Sequence, residues 1–299
     1  TEIKKKAPHI PVIMITKSEE ENIMDEAIGA QIDDYLIKPV NPKQILLSIK
    51  KHVDHDRLVK EKTNMDFQAQ FRQLSMRINE GLSFEEWKDV YKTLVSWEMK
   101  LAASGDNTMD EIIKMQKNEA NEAFSKFISR NYTEWLAPDN TDASPMMSHK
   151  LMRQQLVPLL EKNRKVVCMV IDNLRYDQWK TLEPLFAPFF KIKKDDIYYS
   201  ILPTATQYAR NAIFSGLMPS EIDKIYPELW KDDHEEGGKN LHEESMLFSQ
   251  IRRYTKDKKI IFEKASDIQY MKRLQGRLNE LLQHDLITIV VNFVDMLSH

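Results

Sequence analysis

The chain has 299 residues, of which 42% are hydrophobic and 30% charged, and its formal net charge at pH 7 is −3. Five Trp, ten Tyr and twelve Phe require burial, which excludes a mainly disordered chain, and the small net charge argues against a sequence-blind nucleic-acid coat. No apolar run reaches the roughly 18 residues of a membrane-spanning helix, and a single cysteine, Cys168, excludes an internal disulfide framework. We therefore expect a cytoplasmic chain with two or three cores and no membrane partner.

Residues 1–55 have a β-α-β-α pattern. The runs 10–16 and 34–37 are short and apolar, which is typical of buried parallel strands. A helix is predicted between them, and Pro42 at a first helical position predicts another helix after the second strand. This alternation indicates an α/β unit.

The same residues resemble the second half of a two-component receiver domain, which has a flavodoxin-like fold. Thr16 stands at a strand end, and residues 34–39 are similar to the last strand of the family and its Lys-Pro pair. The resemblance implies that Thr16 and Lys38 contact the phosphoryl group on a phospho-aspartate, where a hydroxyl and an ammonium both stabilise added negative charge. It also implies that Tyr35 is an aromatic switch and that the peptide bond before Pro39 is cis.

This resemblance further implies ligands and partners for the first part of the chain. A sensor histidine kinase would phosphorylate it, Mg²⁺ would bind beside the acceptor, and the phosphorylated protein would form a homodimer through the helix between Thr16 and Tyr35. The acidic Mg²⁺ ligands and the phospho-acceptor Asp are expected to precede Thr1. A plain βα segment, in which Thr16 caps the following helix, is the alternative interpretation.

Residues 56–137 have helical patterns and almost no strand signal. Gly81 and Gly105 interrupt the apolar periodicity, and Ser83 with Glu86 forms a capping box at a helix start. We expect a helical insert, an antiparallel bundle of three helices, that joins, spaces or dimerises the flanking parts. It contains no catalytic constellation.

The third part, residues 138–299, begins with a turn-rich linker and continues as α/β. A predicted helix over 148–163 precedes several predicted strands, which are 165–171, 196–200, 259–262 and 286–294. Polar side chains follow these strands, at the edge where open α/β sheets place their chemistry. The predicted site residues at this edge are Asp172, Thr206, Asp295 and His299.

Two carboxylates, a hydroxyl and an imidazole at adjacent strand ends suit a divalent metal. The hydroxyl of Thr206, at the start of a helix, would meet a phosphate in the field of the helix dipole. Alternatives stay open, since Asp172 or Thr206 can be a helix cap and Thr204 is a competing nucleophile. The acidic stretch 232–244 is interpreted as a mobile loop near the site.

Residues 203–206, Pro-Thr-Ala-Thr, precede a helix that ends in Ser-Gly-Leu-Met-Pro at 215–219. These two segments resemble the nucleophile region of the alkaline phosphatase superfamily, and residues 171–177 are similar to its first metal-ligand strand. The spacing of Asp295 and His299 matches two ligands of a second metal in that superfamily. The third part is therefore expected to be an alkaline-phosphatase-like α/β domain.

A receiver, a helical bundle and this domain, in that order, resemble the PorX-type response regulators of type IX secretion, which end in a PglZ-type member of the superfamily. The resemblance implies that Thr206 is the nucleophile and, with Asp172, a ligand of one zinc ion. Asp295 and His299 would hold a second zinc ion, or other divalent metals would replace both. The remaining ligands are expected beyond His299, so the domain is expected to be incomplete and the chain to be an inactive fragment of a catalytic protein.

Two functions follow from this resemblance. The first is a response regulator whose output domain is a zinc-dependent phosphodiesterase or phosphatase, acting on oligonucleotides, cyclic nucleotides or related phosphate esters. The second is a non-catalytic phosphorelay adaptor that uses the metal-binding domain to bind a partner, such as a sigma factor or another regulator.

Overall fold

A computed structural model describes residues 3–4, 10–17, 32–104, 109–137, 144–231, 240–292 and 294. The chain forms two compact units, of which the first combines Thr1–Leu82 with Val90–Ser125 and the second combines Ser83–Asp89 with Lys126–His299. Within the described ranges, no helix is long and apolar enough to cross a membrane.

The first unit contains a parallel pair of strands, β1 (Ile13–Thr16) and β2 (Asp34–Ile37). Helix α1 (Pro42–Val53) follows, with Pro42 in its first turn and the Asn41 side chain accepting a hydrogen bond from the Lys43 amide at 2.9 Å. Both strands and this helix start confirm the predicted pattern, and the Lys38-Pro39 bond is cis as expected. The helix predicted between the strands lies outside the described residues, and so does the dimer contact expected there.

Three long helices follow, as predicted, and they are α2 (His55–Glu80), α3 (Phe84–Ser104) and α4 (Asp110–Trp135). In the first unit they share one small core, to which α2 contributes Phe67, α3 contributes Trp97 and α4 contributes Ile113. The rings of Phe67 and Trp97 meet edge to face with centroids 5.3 Å apart, and the Trp97 indole donates to Gln70 Oε1 at 2.8 Å. The aromatic stripes of this region are therefore core.

The second unit contains a parallel sheet with the strand order β3-β5-β4, where β3 is Val166–Ile171, β4 is Ile260–Ala265 and β5 is Leu286–Val291. Ile171, Val291 and Ala265 are aligned across the sheet, so all three strands end at one edge. Every residue of β5 is buried, which agrees with a sequence that is apolar at every position except Thr288.

Helices cover both faces of this sheet. The α-helices that the structure describes after α4 are α5 (Leu151–Gln155), α6 (Val157–Glu161), α7 (Tyr176–Phe186), α8 (Thr206–Ser215), α9 (Pro219–Ile225), α10 (Glu243–Tyr254), α11 (Ile268–Gly276) and α12 (Leu278–Leu281). Leu286 and Val290 of β5 belong to the core that α8 and α10 help to form. Ile287 and Ile289, which alternate with them, join the core formed with α11 and α12.

Two predicted elements of the second unit are wrong. The strand expected over 196–200 is a single parallel bridge between Met147 and Tyr199. Pairing stops there because the neighbouring chain turns into a 3₁₀ helix, Ser148–Lys150. The helix expected over 148–163 is divided into this 3₁₀ turn, α5 and α6, and Pro158 lies in the first turn of α6, where its missing N–H is tolerated.

Gly216 ends α8 in the left-handed conformation, with φ of 67°. A Cβ atom at this position would overlap the side-chain amide of Gln250, which is fully buried on α10. We expect Gly216→Ala to lower the free energy of unfolding by about 1–3 kcal/mol, since backbone strain and overpacking add. Denaturant unfolding measures the change.

Gly276→Ala is the matched control for this prediction. Gly276 ends α11, and an added Cβ there has no heavy atom within 4 Å. The control should be neutral or slightly stabilising. Equal unfolding midpoints for the two variants would contradict the prediction for Gly216.

Candidate active site at the carboxyl edge of the second sheet

Three strand ends converge at the candidate site. Asp172 directly follows β3, and its amide donates to the Val291 carbonyl at 3.0 Å. Asn292 directly follows β5, and its amide donates to the Ala265 carbonyl at 3.1 Å. The sheet pairing thus continues one residue past the strands and fixes Asp172 and Asn292 side by side, at the edge where parallel sheets place ligands.

Thr206 is the first residue of α8 and is exposed. The helix cap is Ala205, whose carbonyl accepts hydrogen bonds from the amides of Tyr208 and Ala209 at 3.0 Å each. The alternative in which Thr206 serves as the cap is therefore wrong. Its hydroxyl lies at the positive end of the helix dipole, and Thr204 is exposed before the helix.

Arg210 connects α8 to Asp172. The Arg210 Nη1 atom donates to Asp172 Oδ2 at 2.7 Å and to Asn292 Oδ1 at 3.2 Å. Residues four apart on a helix lie on one face with Cβ atoms about 6 Å apart, so Thr206 lies one turn before the residue that contacts Asp172. Asp172 is therefore bonded to the helix that begins at Thr206.

Glu243, the first residue of α10, holds the other side of Arg210. Arg210 Nε donates to Glu243 Oε1 and Nη2 donates to Oε2, each at 2.7 Å. The exposed fractions of the Arg210 and Glu243 residues are only 6% and 1%. Lys264 Nζ, near the end of β4, donates to Glu243 Oε2 at 3.0 Å, so this buried carboxylate has two cationic partners.

Asn240 completes a polar network around the start of α8. Its side-chain amide donates to the Thr206 carbonyl at 3.4 Å and to Asn211 Oδ1 at 3.2 Å, while its carbonyl accepts from Lys264 Nζ at 2.9 Å. A chain of contacts thus runs from Thr206 through Asn240, Lys264, Glu243 and Arg210 to Asp172. Near the start of α8 the site thus offers the exposed Thr206 hydroxyl, the Asp172 carboxylate and two cations held by ion pairs, Arg210 and Lys264.

Arg210 and Glu243 are not among the residues predicted for the site. A signal existed for Arg210, because it stands four residues after Thr206 and therefore shares its helix face. For Glu243 the interpretation as part of a mobile acidic loop was wrong, since the residue begins α10 and is buried. Residues 232–239 of that stretch lie outside the described residues.

The structure gives no test of the second predicted metal site, because Asp295 and His299 also lie outside the described residues. Within the described ranges, no group of three or more His, Cys, Asp or Glu side chains could hold a metal ion. The zinc ligands therefore stay a prediction.

The predicted receiver residues lie together in the first unit. Thr16 is the last residue of β1, and its carbonyl accepts a hydrogen bond from the amide of Lys38, which directly follows β2, at 2.7 Å. Tyr35 is half-buried on β2. The neighbouring Asp34 is held in place by the Ser48 hydroxyl at 2.5 Å, and this hydrogen bond holds the pKa of the carboxyl below its usual range.

Three family models match consecutive parts of the chain. They are the response regulator receiver domain over residues 1–50, the PorX response regulator linker domain over 57–136 and the BREX system PglZ alkaline phosphatase-like domain over 151–299. The chain belongs to the PorX-type response regulators with a PglZ domain. A comparison with curated proteins finds no match.

The family assignment agrees with the predicted fold class, because receiver and alkaline phosphatase-like domains both fit the mixed α/β structure. The predicted domain limits, 1–55, 56–137 and 138–299, stay predictions. The boundaries between the two compact units fall inside α3 and α4, so they do not coincide with the ends of the matched family models.

Proposed function

We propose that the output domain of this PorX-type response regulator is a metal-dependent phosphoric ester hydrolase. It would be a phosphodiesterase or phosphatase whose nucleophile is Thr206. The observation that carries the proposal is the contact of Asp172 with Arg210 of α8, one turn after Thr206, at the carboxyl edge of a parallel sheet. The match of residues 151–299 to an alkaline phosphatase-like domain supports it.

The donors of the site fit a divalent metal. Asp172 supplies carboxylate oxygens, Thr206 supplies a hydroxyl, and both are hard ligands. We propose that these two residues hold one zinc ion and that Asp295 and His299 contribute to a second. Bound zinc would polarise the phosphoryl oxygens and favour the deprotonated Thr206 hydroxyl.

The chain's own residues account for the remaining chemistry. Thr206 Oγ1 would form a bond to phosphorus as the bond to the leaving alcohol breaks, and water would then release the phosphate from Thr206. The positive end of α8 favours the phosphate charge throughout. Substrates of this class are phosphate esters, including nucleotides.

The test is zinc content and hydrolysis of bis(p-nitrophenyl) phosphate, both measured on the full-length protein and on two aspartate variants. We expect Asp172→Ala to lose zinc and turnover together. Asp177→Ala is the control, since Asp177 pairs with Arg175 on an exposed part of α7 and should leave both unchanged. Retention of both by Asp172→Ala would overturn the proposal, and zinc binding without turnover would favour the adaptor function.

We further propose that a sensor histidine kinase phosphorylates the receiver part with Mg²⁺ bound, and that the phosphorylated, cytoplasmic protein dimerises and acts on type IX secretion through a sigma factor or another regulator. The closeness of Thr16 and Lys38 at one strand edge supports a phosphoryl contact. Beryllofluoride should double the sedimenting mass of the full-length protein at micromolar concentration. Thr16→Ala should weaken this response, and an unchanged mass in the wild type would contradict the dimer.

A further inference from the structure

Arg210 is a buried cation between two carboxylates from different elements. Its three donor nitrogens are all used, Nε and Nη2 on Glu243 of α10 and Nη1 on Asp172 after β3. Nη1 also contacts Asn292 Oδ1 after β5. The guanidinium therefore joins α8 to two strand ends and to α10.

The contact with Glu243 fixes the plane of this guanidinium. Two parallel N–H···O bonds of 2.7 Å form a fork that sets both position and orientation. Lys264 holds the same carboxylate at 3.0 Å, so Glu243 cannot easily rotate away. The remaining nitrogen, Nη1, thus points at Asp172 from a rigid support.

We propose that Arg210 is a positioning residue for Asp172. Arg210 holds the Oδ2 atom of Asp172, so that the other carboxylate oxygen of Asp172 is presented to the metal. The inference rests on the proposed function. Partners that orient metal ligands in this way commonly contribute 10–100-fold in metal affinity.

Charge balance decides the sign of the expected effect. A lone cation beside a metal ligand would repel the metal, and its removal would then tighten binding. Glu243 is shared by Arg210 and Lys264, so it offsets the repulsion between the Arg210 guanidinium and the metal only in part. The 2.7 Å bond from Arg210 to Asp172 fixes the carboxylate, and we expect this orienting effect to exceed the remaining repulsion. Loss of Arg210 should therefore weaken metal binding.

The experiment measures the zinc dissociation constant of the full-length protein by competition with a chromophoric chelator, using Asp172→Ala to identify the site that depends on this residue. Arg210→Met should weaken that site about 10–100-fold. Arg210→Lys keeps the charge but cannot form the fork, and we expect at least about tenfold weaker binding. The constant refers to folded protein, so a change of stability alone would not move it.

Arg277→Lys is the matched control. Arg277 also pairs with a buried carboxylate of the same sheet, Glu263 of β4, at 3.2 Å. The zinc affinity of the Arg277→Lys variant should equal that of the wild type. If Arg210→Met does not fold, Arg210→Lys decides alone. Wild-type or tighter affinity in the Arg210 variants would overturn the positioning role. Zinc binding that is the same in the wild type and in Asp172→Ala would instead overturn the proposed function.

Discussion

Thr206→Ala is expected to abolish phosphodiester turnover of the full-length protein while the domain stays folded. Removal of a covalent nucleophile costs several powers of ten in rate, on the order of 10³-fold or more. The cost in stability should stay within about 0.5 kcal/mol, because Thr206 is exposed and Ala205, not Thr206, is the helix cap. Hydrolysis of bis(p-nitrophenyl) phosphate and thermal unfolding of the same preparation measure the two effects.

Thr204→Ala is the matched control, since Thr204 is also an exposed threonine but precedes the helix. It should keep most of the activity. Loss of activity in Thr204→Ala with full activity in Thr206→Ala would move the nucleophile to the other threonine of the motif.

His299→Ala should lower the zinc content and the turnover of the full-length protein together, as expected for the proposed ligand of a second metal.

Glu243→Ala is expected to lower the free energy of unfolding of the second unit by about 3 kcal/mol or more. The substitution leaves the buried Arg210 guanidinium without its bidentate partner, and breaking a buried ion pair from one side typically costs about 3–5 kcal/mol. Asp172 still balances part of the charge, which places the expected effect near the lower end of that range. Urea unfolding followed by circular dichroism gives the value.

Glu244→Ala isolates the role of burial in this prediction. Glu244 is the next residue of α10, has the same side chain and is exposed. Its loss should change the stability by no more than about 0.5 kcal/mol. Similar unfolding free energies for the two alanine variants would show that the Arg210–Glu243 pair contributes little.

Local sequence patterns were sufficient to predict the strands that carry the candidate site. The mainly apolar runs of β3 and β5 could be recognised from their composition, although the last strand was predicted over 286–294 and β5 ends at Val291. Asp172 could be placed at a strand end for the same reason. The strand expected near Tyr199 failed because strand formation needs a neighbour, and its neighbour leaves the extended conformation after Met147.

The polar network could not be predicted in this way. Arg210 and Glu243 are 33 residues apart, and nothing in the sequence near either residue indicates the other. Glu243 also follows a charged stretch, where a solvated carboxylate is the usual expectation. Burial of an ion pair depends on how two helices pack, which single-sequence periodicity does not contain.

The order of strands in the second sheet has a consequence for synthesis of the protein. The described sheet pairs β3 and β4 only with β5, which comes last of the three along the chain. A nascent chain therefore carries the segments of β3 and β4 without their shared partner until Leu286–Val291 leaves the ribosome. Strand edges in that state are prone to aggregation, and pairing across such long separations is slow. The central strand β5 is thus the last strand to be added, and the edge that carries the candidate site cannot form before β5 is in place.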